Sequence, residues 1–283
     1  MSYNYFPGHM MKAKRMMEEN IKIIDLLIEL LDARAPLSSG NPEIDKLCAG
    51  KGRMVLLNKA DLANEKMNAA WIAYFKKKGI EAVALDSRGR KGMREIDAAV
   101  QVCCREKIEK NKKKGIINRP MRAMVAGIPN VGKSTFINSY AGKAVAKTGN
   151  KPGVTRGKQW IRMGKNLELL DTPGILWPKI DDEETGFNLA LLGSMNDQVL
   201  NREEMVRKFL SETIAKEPEM LYNIYGLTPE MGLNEMLKEA ALHRNALKKG
   251  GEPDTDKAVS FILDDFRSGR IGRITLEEPP EAP

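Results

Sequence analysis

An α/β domain with a mainly parallel sheet, followed by an all-helical domain, is the fold class that three features of the sequence predict. Short apolar runs alternate with amphipathic helical segments from about residue 20 to residue 175, as expected of a sheet whose crossovers are helices. A glycine-containing stretch, Gly127 to Gly132, separates one such run from the helix behind it. Beyond Pro178 the β-rich runs stop and the apolar spacing becomes helical. The expected boundaries are 1–178, with a helical extension at its start, and 179–283.

The elements follow in order. Met10, Lys14, Met17, Ile21 and Ile24 give a largely apolar face and predict a helix over 10–24. Leu26–Leu31, Met54–Leu57 and Ala82–Leu85 are short apolar runs that predict buried strands. Asn64–Lys78 reads as a helix with Met67, Trp71, Tyr74 and Phe75 on one side, and Met93–Asn111 as another. Met121–Ala126 is a strand feeding the glycine-containing turn, with the helix Lys133–Tyr140 behind it. Gln159–Met163 and Leu167–Leu170, separated by Gly164-Lys165-Asn166, read as a hairpin. In the helical part, Leu233, Met236, Leu237 and Ala240 share one face, and Val259, Ile262, Leu263 and Phe266 share another. The tail from Glu277 to Pro283 is acidic and proline-rich, and is expected to fray.

Composition narrows the function classes. The chain has 283 residues, 42% hydrophobic and 30% charged, which excludes wholesale disorder. The longest apolar candidate, Ile21–Leu31, is cut by Lys22, Asp25 and Glu29, so no membrane span is expected. The N-terminus does not read as a secretory signal. Cys48, Cys103 and Cys104 show no CxxC spacing; reduced thiols in a cytoplasmic protein are expected. The net charge of +8 is uneven: residues 101–170 carry 16 basic and 3 acidic side chains, and residues 181–283 carry 12 and 21. The basic block, densest from Arg105 to Arg122, would attract a polyanion.

The chemistry concentrates in a few motifs. Gly127-Ile128-Pro129-Asn130-Val131-Gly132-Lys133-Ser134 matches GxxxxGK[ST] between a predicted strand and helix. Backbone N–H groups of such a loop, through Asn130, Val131, Gly132 and Thr135, wrap phosphates at a helix N-terminus. Lys133 would bridge the β- and γ-phosphates, and the Ser134 hydroxyl would ligate Mg²⁺. Asp171-Thr172-Pro173-Gly174 follows an apolar strand; Asp171 would hold Mg²⁺, usually through water, and the Gly174 N–H would approach the γ-phosphate. Thr155, in Pro152-Gly153-Val154-Thr155, is the candidate to cap both. Asn58-Lys59-Ala60-Asp61 matches NKxD after a strand. Asp61 can accept from guanine N1–H and the exocyclic amine, which adenine does not offer, so an adenine would leave the carboxylate unpaired. Asn58 would pin the other edge and the Lys59 stem would cover the base. Ser87 and Arg88, in Asp86-Ser87-Arg88-Gly89, form a looser match to a base-contacting loop.

The base-reading motifs precede the phosphate motifs, the reverse of Ras-like GTPases. Because a parallel sheet gathers its loops at one edge, a circularly permuted chain can build the same pocket. In this order of motifs the sequence resembles the circularly permuted, ribosome-associated GTPases. Phe6-Pro7-Gly8-His9-Met10, Asp32-Ala33-Arg34-x-Pro36, the NKxD, P-loop and PGVT motifs, and Asp171–Pro178 carry the resemblance, with Asp265-Phe266-Arg267-x-Gly269-x-x-Gly272-Arg273 near the end. It implies a P-loop GTPase domain with permuted motif order and a helical RNA-binding domain. It also implies GTP hydrolysis in late assembly of the large ribosomal subunit, stimulated by that particle. The partners implied are rRNA and ribosomal proteins, with a monomer off the ribosome. Ser87-Arg88 departs from the Ser-Ala of many relatives.

Ras-like enzymes place a water-orienting Gln just after DxxG, where this chain has Ile175. The candidate replacement is His9, swinging in from the N-terminal Pro-Gly-His-Met loop, since imidazole both donates and accepts near neutral pH. Asn130 is the candidate K⁺ ligand, by similarity to P-loops of the form GxxNxGKS. Arg244, Lys248, Lys249, Arg267, Arg270 and Arg273 could form a basic face for structured RNA. A regulatory GTPase leads the readings. An RNA-binding assembly scaffold with a mainly structural nucleotide pocket is the alternative, and a P-loop kinase or ATPase is a third that NKxD opposes.

Overall fold

Leu26–Asp32 is apolar except at Glu29 and its final Asp32, and a strand of that composition needs cover on both faces. In the computed structural model this strand, β1, is buried at all seven positions. The structure describes residues 8–47, 50–116, 119–146, 159–163, 167–177, 180–195 and 201–280. β2 (Gly52–Asn58), β3 (Glu81–Leu85), β4 (Met121–Gly127), β5 (Gln159–Met163) and β6 (Leu167–Asp171) complete a six-stranded sheet of order β3-β2-β1-β4-β6-β5. All pairings are parallel except that of the edge strand β5 with β6. The buried Glu29 is matched by Arg53 of β2 at 2.8 Å.

Register does the positioning. Asp32 stands opposite Asn58, Asn58 opposite Leu85, Leu30 opposite Gly127, and Val125 opposite Asp171. The loops after β1, β2, β3, β4 and β6 therefore leave the same sheet edge, although the chain visits the base-reading strands first. The sheet thus realises the permuted P-loop GTPase architecture.

α1 (Gly8–Asn20) begins two residues before the expected helix and ends in a 3₁₀ turn, Ile21–Ile23. His9 accordingly stands in the first turn of α1, not in a loop. α2 (Pro42–Leu47) was not foreseen: six residues are too few to show a period. It starts where the Asn41 carboxamide accepts the Glu43 N–H at 3.0 Å. α3 (Glu65–Lys77) is capped by Asn64, which accepts from the Lys66 and Met67 amides. It buries Trp71 and Phe75 against Leu31, Val55 and Leu57. The helix expected over 93–111 is two, α4 (Met93–Cys103) and α5 (Arg105–Lys113), divided where Cys104 leaves helical geometry at φ −101, ψ 8. α4 buries Met93, Ile96, Ala99 and Val100, whereas α5 buries only Asn111, so no apolar stripe continues across the junction. α6 (Lys133–Ala141) follows the P-loop.

The chain folds as two units, residues 1–188 with 275–283, and residues 189–274. α7 (Glu183–Leu191) runs across the first boundary; α8 (Arg202–Lys216), α9 (Pro218–Tyr225), α10 (Leu233–His243) and α11 (Thr255–Ser268) make the helical unit. Phe209 and Phe266 meet there with ring centroids 5.0 Å apart. The fully buried Asp265 accepts from the Tyr225 hydroxyl at 2.7 Å and Arg244 at 2.6 Å, and also pairs with Arg270. The tail does not fray at its start: Thr275, Leu276 and Glu277 hydrogen-bond to the loops after β1 and β2, where the Leu37 and Ser38 amides donate to the Glu277 carboxylate. Among the described residues no helix is long and apolar enough to cross a membrane.

Candidate functional site

Phosphate chemistry needs a loop that leads its amides into a helix N-terminus, and the loop after β4 leads into α6. Asn130 and Gly132 take positive φ values of 60 and 102, turning the loop into the N-terminus of α6. A side chain at Gly132 would place its Cβ 2.4 Å from Asn58 Nδ2, so the close approach itself requires glycine. Lys133 is buried, and its ammonium donates to the carbonyls of Gly127 at 3.0 Å and Ile128 at 2.8 Å. Burial pulls its pKa down to about 8, opposed by the Asp171 carboxylate. Ser134 and Thr135, half-buried, occupy the first turn of α6.

β6 brings the second phosphate-side element. Asp171 is buried at its C-terminal end, and Thr172 anchors the following turn by donating its hydroxyl to the Val125 carbonyl at 2.6 Å. A Cβ on Gly174 would lie 2.8 Å from Pro129 Cα and 2.9 Å from Lys133 Nζ, so this turn lies directly on the P-loop. The Ser134 hydroxyl and Asp171 carboxylate offer oxygen donors only, which fits a hard cation such as Mg²⁺. Ile175 is buried, its N–H on the Gly127 carbonyl at 3.3 Å and its carbonyl accepting from Asn41 at 3.3 Å. It points away from any water-orienting role.

Asn58, in the NKxD motif, joins the loop after β2 to the loop after β4. Asn58, 2% exposed, donates its amide to the Val131 carbonyl of the P-loop at 2.7 Å. Its carbonyl oxygen accepts from the Ser87 hydroxyl at 2.7 Å and the Ser87 amide at 3.3 Å. Three loops distant in sequence thus meet on one carboxamide. Lys59 adopts φ 60 and donates to Asp32 at 2.8 Å. Asp61 is solvent-facing, its pKa raised by desolvation and by Asp86, with Arg88 pulling the other way. Asp86 in turn accepts the Arg88 and Gly89 amides at 2.9 and 2.8 Å, closing the base loop as an Asx turn.

Thr155 and the rest of Pro152-Gly153-Val154-Thr155 lie outside the described residues, as does the side chain of His9. The six-residue basic face of the helical unit is partly spent internally. Arg244 and Arg270 serve Asp265, and Arg267 donates to the carbonyls of Leu191 at 3.0 Å and Ala190 at 2.9 Å. In the sheet unit Lys107 and Arg119 pair with Asp25, while Lys110, Lys112, Lys113 and Lys114 stand exposed at the end of α5. Sequence reasoning assigned no role to Asp32, Arg34, Asn41 or Glu277. For Asp32 a signal existed: a carboxylate ending the strand beside that of NKxD.

Residues 122–225 match a family model described as 50S ribosome-binding GTPase. The chain is 46% identical to ribosome biogenesis GTPase A of Bacillus cereus over 99% of this chain and 95% of that one. It is 44% identical to the protein of the same name from Priestia megaterium, over 100% of this chain and 99% of that one. Among solved structures, GNP-bound YlqF from Thermotoga maritima superposes with a TM-score of 0.66 at 28% identity, covering 96% of this chain and all of that one.

Proposed function

The chain belongs to the ribosome biogenesis GTPase A family, and from that premise we propose that it is a GTP-hydrolysing factor in late maturation of the large ribosomal subunit, its nucleotide state coupled to binding and release of the particle. The observation that carries the reading is the Asn58–Val131 hydrogen bond, which joins a guanine-reading loop to a phosphate-binding loop. GTP and GDP are the ligands. Lys59, Asp61, Ser87 and Arg88 would face the base, whereas Asn58, expected to pin its other edge, instead spends its buried carboxamide on Val131 and Ser87 and ties the loops together; Asn130, Val131, Gly132, Lys133, Ser134, Thr135 and Gly174 would face the phosphates.

Mg²⁺ would be held by Ser134, by Asp171 and by Thr155, and it neutralises charge on the β- and γ-phosphates when bound. Lys133 brings an ammonium whose pKa burial lowers to about 8; two phosphate oxygens would replace its two backbone carbonyls and hold the charged form. Ile175 leaves the water-orienting role to another group. His9, at the start of α1, is the candidate, and its removal should lower stimulated turnover. Asn130 with K⁺ is tested by comparing rates in K⁺ and Na⁺ buffers.

The exposed lysines ending α5 and the basic block around them favour rRNA phosphates, with ribosomal proteins as further contacts; a cytoplasmic monomer off the ribosome completes the reading. The deciding measurement is GTP turnover with and without purified large-subunit particles, beside particle affinity in GTP-analogue, GDP and empty states. Stimulated turnover and state-dependent affinity are expected. Equal affinity in all three states would replace this reading by that of an RNA-binding scaffold.

A further inference from the structure

The loop leaving β1 touches the base-reading lysine on one side and the end of the chain on the other. Asp32 is buried, with its carboxylate between two cations. Arg34 grips it through Nε and Nη2, both at 2.9 Å, and Lys59 Nζ donates to it at 2.8 Å. Burial alone would raise this carboxyl; the two cations reverse that and hold it well below the usual carboxylate range. Lys59 sits at φ 60, a backbone region few side-chain-bearing residues adopt, so its stem is pinned at both ends, by backbone and by Asp32.

The C-terminal segment holds the same loops from behind. The Leu276 N–H donates to the Arg34 carbonyl at 2.7 Å. Glu277 accepts from the amides of Leu37 at 2.7 Å and Ser38 at 3.0 Å, from the Ser38 hydroxyl, and from Asn188 at 3.1 Å. Thr275 accepts the Asn64 amide at 3.0 Å, just past the NKxD loop, and Trp71 of α3 donates to the Glu277 carbonyl at 3.2 Å. Three consecutive residues thus engage the loops that follow β1 and β2, and charge-assisted bonds of this kind are stronger than neutral ones.

We propose that Asp32 is the positioning residue that sets the Lys59 stem against the guanine ring, and that Thr275–Glu277 keep its partner loop in place, making the far end of the chain part of guanine-nucleotide recognition. The proposal rests on the reading of Asn58–Asp61 as the base-reading loop. Dissociation of fluorescently labelled GDP and IDP from the full-length protein tests it by stopped flow. Asp32→Asn should speed release about tenfold and Glu277→Ala about threefold. IDP lacks the amine that Asp61 reads, so both variants should speed GDP and IDP release by equal factors, whereas general loosening would shrink the GDP preference. In a Lys59→Met background neither substitution should add further loss.

Unchanged release in both variants, additive loss with Lys59→Met, or a shrinking GDP preference each overturns the proposal. Should Asp32→Asn fail to fold, Leu276→Pro decides: it removes the N–H given to Arg34, together with the leucine side chain, and should resemble Glu277→Ala. Asp61→Ala separates the two readings. If it leaves GDP binding intact, the base-site assignment fails; if it abolishes binding while the other variants behave as wild type, only this proposal does.

Discussion

Replacing Asn58 by Ala removes the one side chain on which three loops of the candidate site converge. It is 2% exposed and makes three polar contacts, two at 2.7 Å and one at 3.3 Å. A buried hydrogen bond contributes about 1 kcal/mol net, and a stranded buried partner costs at least as much. The longer contact counts for less, so the sum is about 2–3 kcal/mol, or about 30- to 150-fold in an equilibrium constant. Because the contacts pre-align the P-loop and the base loop before ligand arrives, most of the loss should fall on nucleotide binding and the rest on stability. Asn58→Asp sharpens the test: it still accepts from Ser87 but sets a carboxylate against the Val131 carbonyl, so it should bind no better than Asn58→Ala. Stopped-flow release of labelled GDP, with urea unfolding of each variant, measures both shares. GDP affinity within threefold of wild type in Asn58→Ala, or tighter binding in Asn58→Asp, would refute the reasoning.

Three further outcomes follow from the geometry. Gly174→Ala drives a Cβ into the P-loop backbone at Pro129, 2.8 Å away, so stimulated GTP turnover should fall at least about tenfold, equivalent to about 1.4 kcal/mol in the barrier; single-turnover kinetics would show it. Lys133 has a pKa of about 8 without ligand, and phosphates should raise it. Nucleotide binding above pH 8 should therefore take up a proton and weaken as pH rises, while below pH 8 this lysine should contribute no pH dependence; calorimetry in buffers of differing ionisation heat reads this directly. Asp265→Asn leaves Tyr225, Arg244 and Arg270 around a neutral amide in a fully buried position. It should cost the helical unit about 2–4 kcal/mol in urea unfolding without altering GDP affinity.

The strands show why so much was legible. β1, β2 and β4 are nearly continuous apolar runs, a local property that survives without context, and GxxxxGK[ST] and NKxD are spaced by the chemistry of a triphosphate and a purine rather than by the fold. The misses share a cause. Six residues of α2 show no period, the α4–α5 break depends on what lies beneath Cys104, and an acidic, proline-rich tail reads as solvated unless the donors awaiting Glu277 are known.

The sequence by itself determined the strands, the phosphate and base motifs and their reversed order, because each is a pattern of neighbouring residues. Only the tertiary structure decided that Asn58 closes on Val131, that Asp32 grips Lys59, and that residues 275–277 return to the loop after β1. Those contacts join residues 27 to 242 positions apart, and their partners are set by sheet register and chain return, which no local pattern encodes.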